Sequence, residues 1–183
     1  MALQTEVSLA MTKYVAGMQV NVGNARTTRS AAWQGGDTPS LYGKFVQRGA
    51  QPYDCRPLDA TVTTMDKIFG VVEFDPLNQL NSEYNEVIIR QHAAVSVMTQ
   101  GGIIVQTDGS SMKQLEALFV ITSYADNPDL IGVLTSDAAA GDTRIQIVAK
   151  SGDDGSNVVP FVVPYDHIVA GTEKLVTIAI SGN

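Results

Sequence analysis

The sequence predicts an all-β protein, a β-sandwich or jelly-roll-like barrel with an extended N-terminal arm. Three observations carry this. Val, Ile and Thr make up roughly a quarter of the chain, and these residue types fit a pleated, half-buried surface. Apolar and polar residues alternate over several stretches, which is the period of a strand. Turn-forming clusters punctuate those stretches at short intervals, at residues 108–110, 126–128, 140–142 and 152–155.

The elements follow in chain order. Residues 40–47 form a first candidate strand. Residues 68–74 are apolar around Gly70, as expected of a buried strand with a bulge or a close backbone contact. From Asn85 the odd positions read Asn85, Val87, Ile89, Gln91, Ala93, Val95 and Val97. The even positions read Glu86, Ile88, Arg90, His92, Ala94, Ser96 and Met98. The odd row is mostly apolar, so it should face inward. Gly101-Gly102 then interrupts the pattern before residues 103–107 resume it, which predicts a hairpin. Ser110 or Ser111 can cap a short helix through Glu116, after which residues 118–122 are strand-like. Residues 143–150 alternate, with Ile145, Ile147 and Ala149 opposite Arg144, Gln146 and Lys150. Residues 158–165 are apolar but contain Pro160 and Pro164. Proline cannot donate to a ladder, so this run belongs at an edge or in a loop. Residues 174–180 make the last strand, with Val176, Ile178 and Ile180 in register.

Composition excludes several function classes. The chain has 183 residues and a formal net charge of −7, with 17% charged and 44% hydrophobic residues. An acidic chain repels phosphate backbones, which argues against nucleic-acid binding. No run of about 18 apolar residues exists, so no membrane span is expected. Glu6 sits where a secretory signal would carry basic charge, and residues 7–22 are broken by Lys13, Gly17 and Gln19. Cys55 is the one cysteine, so no disulfide framework is expected. The first part of the chain differs from the rest. Arg26, Arg29, Lys44, Arg48 and Arg56 concentrate much of the basic charge, whereas acidic residues dominate from Glu73 onward. The expected organisation is therefore an arm over residues 1–56, part of which can join the barrel, and a body over residues 57–183.

No catalytic, cofactor or metal site stands out. His92 falls on the polar row of a strand, where a solvent-facing histidine is expected. His167 follows Asp166, but no Gly-x-Ser-x-Gly elbow supplies a nucleophile, and Ser110-Ser111 reads as turn chemistry. Zinc would need several Cys and His at short spacing, and the chain has three such residues, far apart. Residues 153–157 offer oxygen ligands but lack the alternation and closing Glu of a calcium loop, and read as a hairpin tip. The residues thus favour a structural or binding role over an enzyme, with no cofactor.

The layout resembles the structural cement, or head-decoration, proteins of tailed bacteriophages. The residues that carry the resemblance are Val15-Ala16-Gly17, Asn24-Ala25-Arg26, Lys44-Phe45-Val46, and Ile68-Phe69-Gly70-Val71-Val72. Residues 95–109 follow as strand, glycine turn and strand ending at Asp-Gly, and residues 120–127 lead into a Tyr-Ala-Asp turn. The similarity spans residues 1–135, and residues 138–183 have no counterpart in it. The resemblance implies a virion protein on the capsid exterior, made in the host bacterial cytoplasm. It also implies a homodimer or homotrimer that clamps neighbouring major capsid protein subunits. A reducing cytoplasm suits a chain without disulfides.

Arg26, Arg29 and Trp33 are the expected capsid-interface residues, because Arg and aromatic side chains dominate many interfaces. An alternative places Trp33 inside the protein's own barrel. Two other readings stay open. One is a tail-associated or adhesin-type β-domain that binds a host glycan through residues 152–157 and 160–165. The other is a small carbohydrate-active enzyme, which would need a deep pocket with two facing carboxylates.

Overall fold

A computed structural model describes residues 15–20, 26–39, 41–75, 88–110, 117–148, 161–162, 168–169 and 175–180. The fold is all-β, as expected. Its strands are β1 (Gln19–Val20), β2 (Thr27–Trp33), β3 (Thr38–Pro39), β4 (Phe45–Arg48), β5 (Asp54–Pro57), β6 (Ile68–Val72) and β7 (Ile88–Ile89). They continue with β8 (Ala94–Gln106), β9 (Leu118–Ser123), β10 (Leu134–Thr135), β11 (Thr143–Val148), β12 (Phe161–Val162), β13 (Ile168–Val169) and β14 (Leu175–Ile180).

The path β8–β2–β5–β4–β6 returns to β8, which closes a five-stranded barrel. Its interior holds Ala31, Trp33, Val46, Cys55, Phe69, Val72, Val95 and Val97. A second core lies between one barrel wall and further strands. Phe45, Ile68, Val71 and Met98 face it from the barrel, and Ile103, Val105, Val176 and Ile178 from the distal half of β8 and from β14. Leu118, Val120, Leu134, Ile145 and Ile147 close it from the sheet β10–β9–β11. The architecture therefore combines a barrel with a sandwich-like second layer.

Gly70 lets one wall serve both cores. A uniform strand would put residues 68, 70 and 72 on one face. Here Ile68 and Val71 face one core while Phe69 and Val72 face the other. The break coincides with a register shift in the β4–β6 ladder, where Val46 pairs with Gly70 but Gln47 pairs with Ile68. A Cβ on Gly70 would lie 2.2 Å from the Met98 carbonyl oxygen, so only glycine lets β6 approach β8 this closely.

Several expectations are met in detail. Ile89, Val95 and Val97 from the odd row are buried, while Ile88, Arg90 and Ala94 are exposed. Ile145 and Ile147 of β11 are buried, as are Val176, Ile178 and Ile180 of β14. β12 forms the edge of its sheet, next to the prolines that suggested an edge.

Others are corrected. Gly101-Gly102 makes no hairpin, because β8 runs through it as one strand of 13 residues. Residues 94–100 pair with β2, and residues 101–106 pair with β14. The positive φ of Gly101 (119°) allows the strand to change neighbours there without reversing. The stretch from Asn85 is not one strand either. β7 pairs with β3 in a separate ribbon, and residues 91–92 form a turn with His92 at φ 65° before β8 begins. Within residues 40–47, Leu41–Lys44 is turn-like and the strand starts at Phe45. Residues 138–183, for which the family layout offered no counterpart, supply β11 and β14, which pack into the second core. The helix expected before Glu116, residues 153–157 and His167 lie outside the described residues.

Candidate functional site

The polar groups of the described chain serve the fold. No buried side-chain nitrogen or oxygen among the described residues lacks a hydrogen-bond partner. Asp108 shows how a motif with catalytic overtones is used. Its carboxylate accepts from the Ser110 N–H (2.8 Å) and hydroxyl (2.5 Å), and from the Thr135 hydroxyl (2.5 Å). This is an Asx turn stapled to β10. His92 is exposed at its turn, and its N–H donates to the Trp33 carbonyl at 2.7 Å. Burial, with the Asp54 charge second, pushes the Cys55 thiol up to about 12, so it carries almost no thiolate at neutral pH. The buried Lys44 ammonium is shifted down by desolvation and donates to the Asp129 carbonyl at 2.7 Å. Among the described residues no group of His, Cys, Asp and Glu is placed to hold a metal ion. Nor is any described helix long and apolar enough to cross a membrane.

One polar cluster organises the basic N-terminal segment. Glu73, only 4% exposed, sits just past β6. Its Oε1 accepts from the Thr28 hydroxyl (2.8 Å) and the Gln19 amide (3.1 Å), and lies 3.6 Å from the Arg26 guanidinium. One carboxylate thus ties β1, β2 and the residue before β2 to the barrel. Backbone bonds reinforce the tie: Gly17 donates to Ile104 (2.7 Å) and accepts from Phe74 (2.9 Å). Charge-assisted bonds of this kind are the stronger ones, whereas the half-exposed Arg26 contributes little. Replacing Glu73 by alanine should cost about 2 kcal/mol, because Thr28 and Gln19 lose a buried charged acceptor. Hydrogen exchange checks the location: amides of Gly17–Val20 should lose protection first. Uniform protection across both cores would contradict the tie.

The expected interface residues separate here. Arg26 and Arg29 are exposed, one just before β2 and the other on it. Trp33 is fully buried in the barrel core, with its indole N–H donating to the Gly36 carbonyl at 2.9 Å. Its anchor role is therefore corrected, and the alternative reading of Trp33 as core holds. The physical reason is β2's alternation, which turns Ala31 and Trp33 into the barrel. Two other residues are prominent outside, and neither was singled out as an interface residue by its sequence context. Tyr53 is 76% exposed in the β4–β5 turn, and Arg48 stacks over the Phe69 ring at 4.7 Å.

A β body whose described buried polar groups are all paired, with Arg29 exposed on β2 and Arg26 just before it, fits the class of structural proteins that work by contact. Residues 3–175 match the family described as structural cement protein (E217 gp24/Pam3 gp6), and the chain belongs to that family. It is a phage virion protein with a capsid cement role. The match runs well past residue 135, so the strands from β11 to β13 lie within the family's common chain. The fold is similar to a chain from the capsid of Myoviridae Phage XM1, at 15% identity and a TM-score of 0.64. That likeness covers 100% of this chain and 99% of the other. No curated protein matches the chain.

Proposed function

We propose that this protein binds the major capsid protein on the outside of the icosahedral phage head and clamps neighbouring subunits against internal pressure. It does so without enzymatic activity, as a homodimer or homotrimer, after synthesis in the host bacterial cytoplasm. The family match over residues 3–175 carries this reading. Repeated weak contacts around a symmetric head gain strength through effective concentration.

The arm in this reading is shorter than residues 1–56. β2, β4 and β5 share ladders with β6 and β8, so residues from Thr27 on belong to the barrel. We assign the proposed capsid contact of this segment to residues 1–14, which precede Gly17 in the sequence. Arg26 and Arg29 remain its neighbouring contacts, and Trp33 is dropped. The test removes residues 1–14 and measures co-sedimentation with heads assembled without this protein. Binding should weaken about tenfold or more, the loss of ~1.4 kcal/mol of contact. Unchanged binding would sink the arm.

A further inference from the structure

We propose that the open edge of β2 takes up an extended, acidic segment of the major capsid protein as an added antiparallel or parallel strand. This rests on the capsid-binding reading above and specifies how the contact is made.

The backbone argument starts from which residues point where. Trp33 N–H bonds to Ala93 on the β8 side, whereas Ala32 N–H bonds to Tyr53 and Gln34 N–H to Cys55 on the β5 side. Even-numbered residues of β2 therefore turn their backbone groups away from β8. β5 occupies that side only at Ala32 and Trp33. Upstream, Thr28 and Ser30 aim N–H and C=O groups in the same direction, and no described strand pairs with them there. Arg29 and Ser30 are exposed. Such an edge is a ready template for strand addition.

The charges select the occupant. Arg29 and Arg48 make no ion pair among the described residues. Arg29 lies on the edge itself. Arg48 pairs with Cys55 at the start of β5, the end of the barrel where the edge opens. Arg26, though linked to Glu73, keeps about half of its side chain exposed. Against these guanidinium groups stands Asp54, opposite Ala32. A second copy offering the same edge would bring Arg29 against Arg29, which like-charge repulsion disfavours. An acidic strand gains both the ladder and the ion pairs.

Three variants of the full chain test this by co-sedimentation with heads assembled without the protein. Ser30→Pro removes an N–H that points outward, a change an edge strand tolerates. Arg29→Glu reverses the edge charge. Arg90→Glu makes the same charge change on the exposed turn before β8. Ser30→Pro and Arg29→Glu should each raise the apparent Kd tenfold or more, with Arg90→Glu near wild type. If Ser30→Pro does not fold, as read by its thermal melt, Arg29→Glu decides alone. Wild-type binding by a folded Ser30→Pro overturns the strand addition but leaves the cement role standing. Equal losses for Arg29→Glu and Arg90→Glu overturn it too, since only net charge would matter. A change in the free protein's oligomeric state with head binding intact assigns the edge to a second copy and overturns it. Failure of the wild-type protein to bind heads would instead refute the capsid-binding reading itself.

Discussion

Trp33→Ala should destabilise the protein by about 3–5 kcal/mol, the cost of emptying a large, fully packed aromatic site. The indole is fully buried, and the Gly35–Gly36 turn is wrapped closely over it. A Cβ on Gly35 would lie 2.4 Å from the ring, and Gly36 accepts the indole N–H. Alanine would therefore leave a cavity and an unpaired carbonyl together. The melting temperature should fall by ~6–20 °C, given about 2–4 °C per kcal/mol for a chain of this size. Trp33→Phe should lose about half as much, since it keeps most of the volume but not the hydrogen bond. The same variant separates two roles for Trp33. Held well below its melting point, folded Trp33→Ala should bind heads as the wild type does. Weaker binding by the folded variant would return Trp33 to the interface.

Gly70→Ala should be comparably severe, at about 3 kcal/mol or more, through overpacking instead of a void. The added methyl would meet the Met98 carbonyl oxygen at 2.2 Å and Val97 Cγ1 at 2.9 Å. Neither can yield cheaply, because Val71 and Val72 pair with Met98 and Val97 at the barrel's closing ladder. β6 must move off β8, which opens the barrel and shifts the wall both cores share. Thermal melting and soluble yield measure this. A variant that melts within a degree or two of wild type would show that the β6–β8 contact is looser than described.

How much of this was legible in the sequence depends on the range of the signal. Alternation is local, and it placed Ile89, Val95, Val97, Ile145 and Ile147 inward correctly. The special role of Gly70 was also visible, because a glycine inside an apolar run has few other uses. Gly101-Gly102 was misread because a turn and a corner both need glycine, and what differs is the partner. That partner is β14, about seventy residues away. Trp33 stood between two readings, interface anchor and barrel core, for a related reason: its burial depends on β5 and β8 arriving from both sides. The charge contrast was kept only in part in space. Arg26 reaches Glu73 across the fold, whereas Arg29 and Arg48 make no ion pair among the described residues. That no described strand pairs with the β5 side of β2 before Ala32 could not have been foreseen, because it depends on where β5 stops.

β8 belongs to both cores: Val95 and Val97 pack in the barrel, and Ile103 and Val105 in the second layer. A load borne by either layer is therefore transmitted along a single continuous backbone, not across a loop. Pulled lengthwise, that strand must shear its ladders together, whereas a hairpin at Gly101 would have let them peel apart one at a time. For a protein with a capsid cement role, the uninterrupted strand turns two small cores into one tensile element.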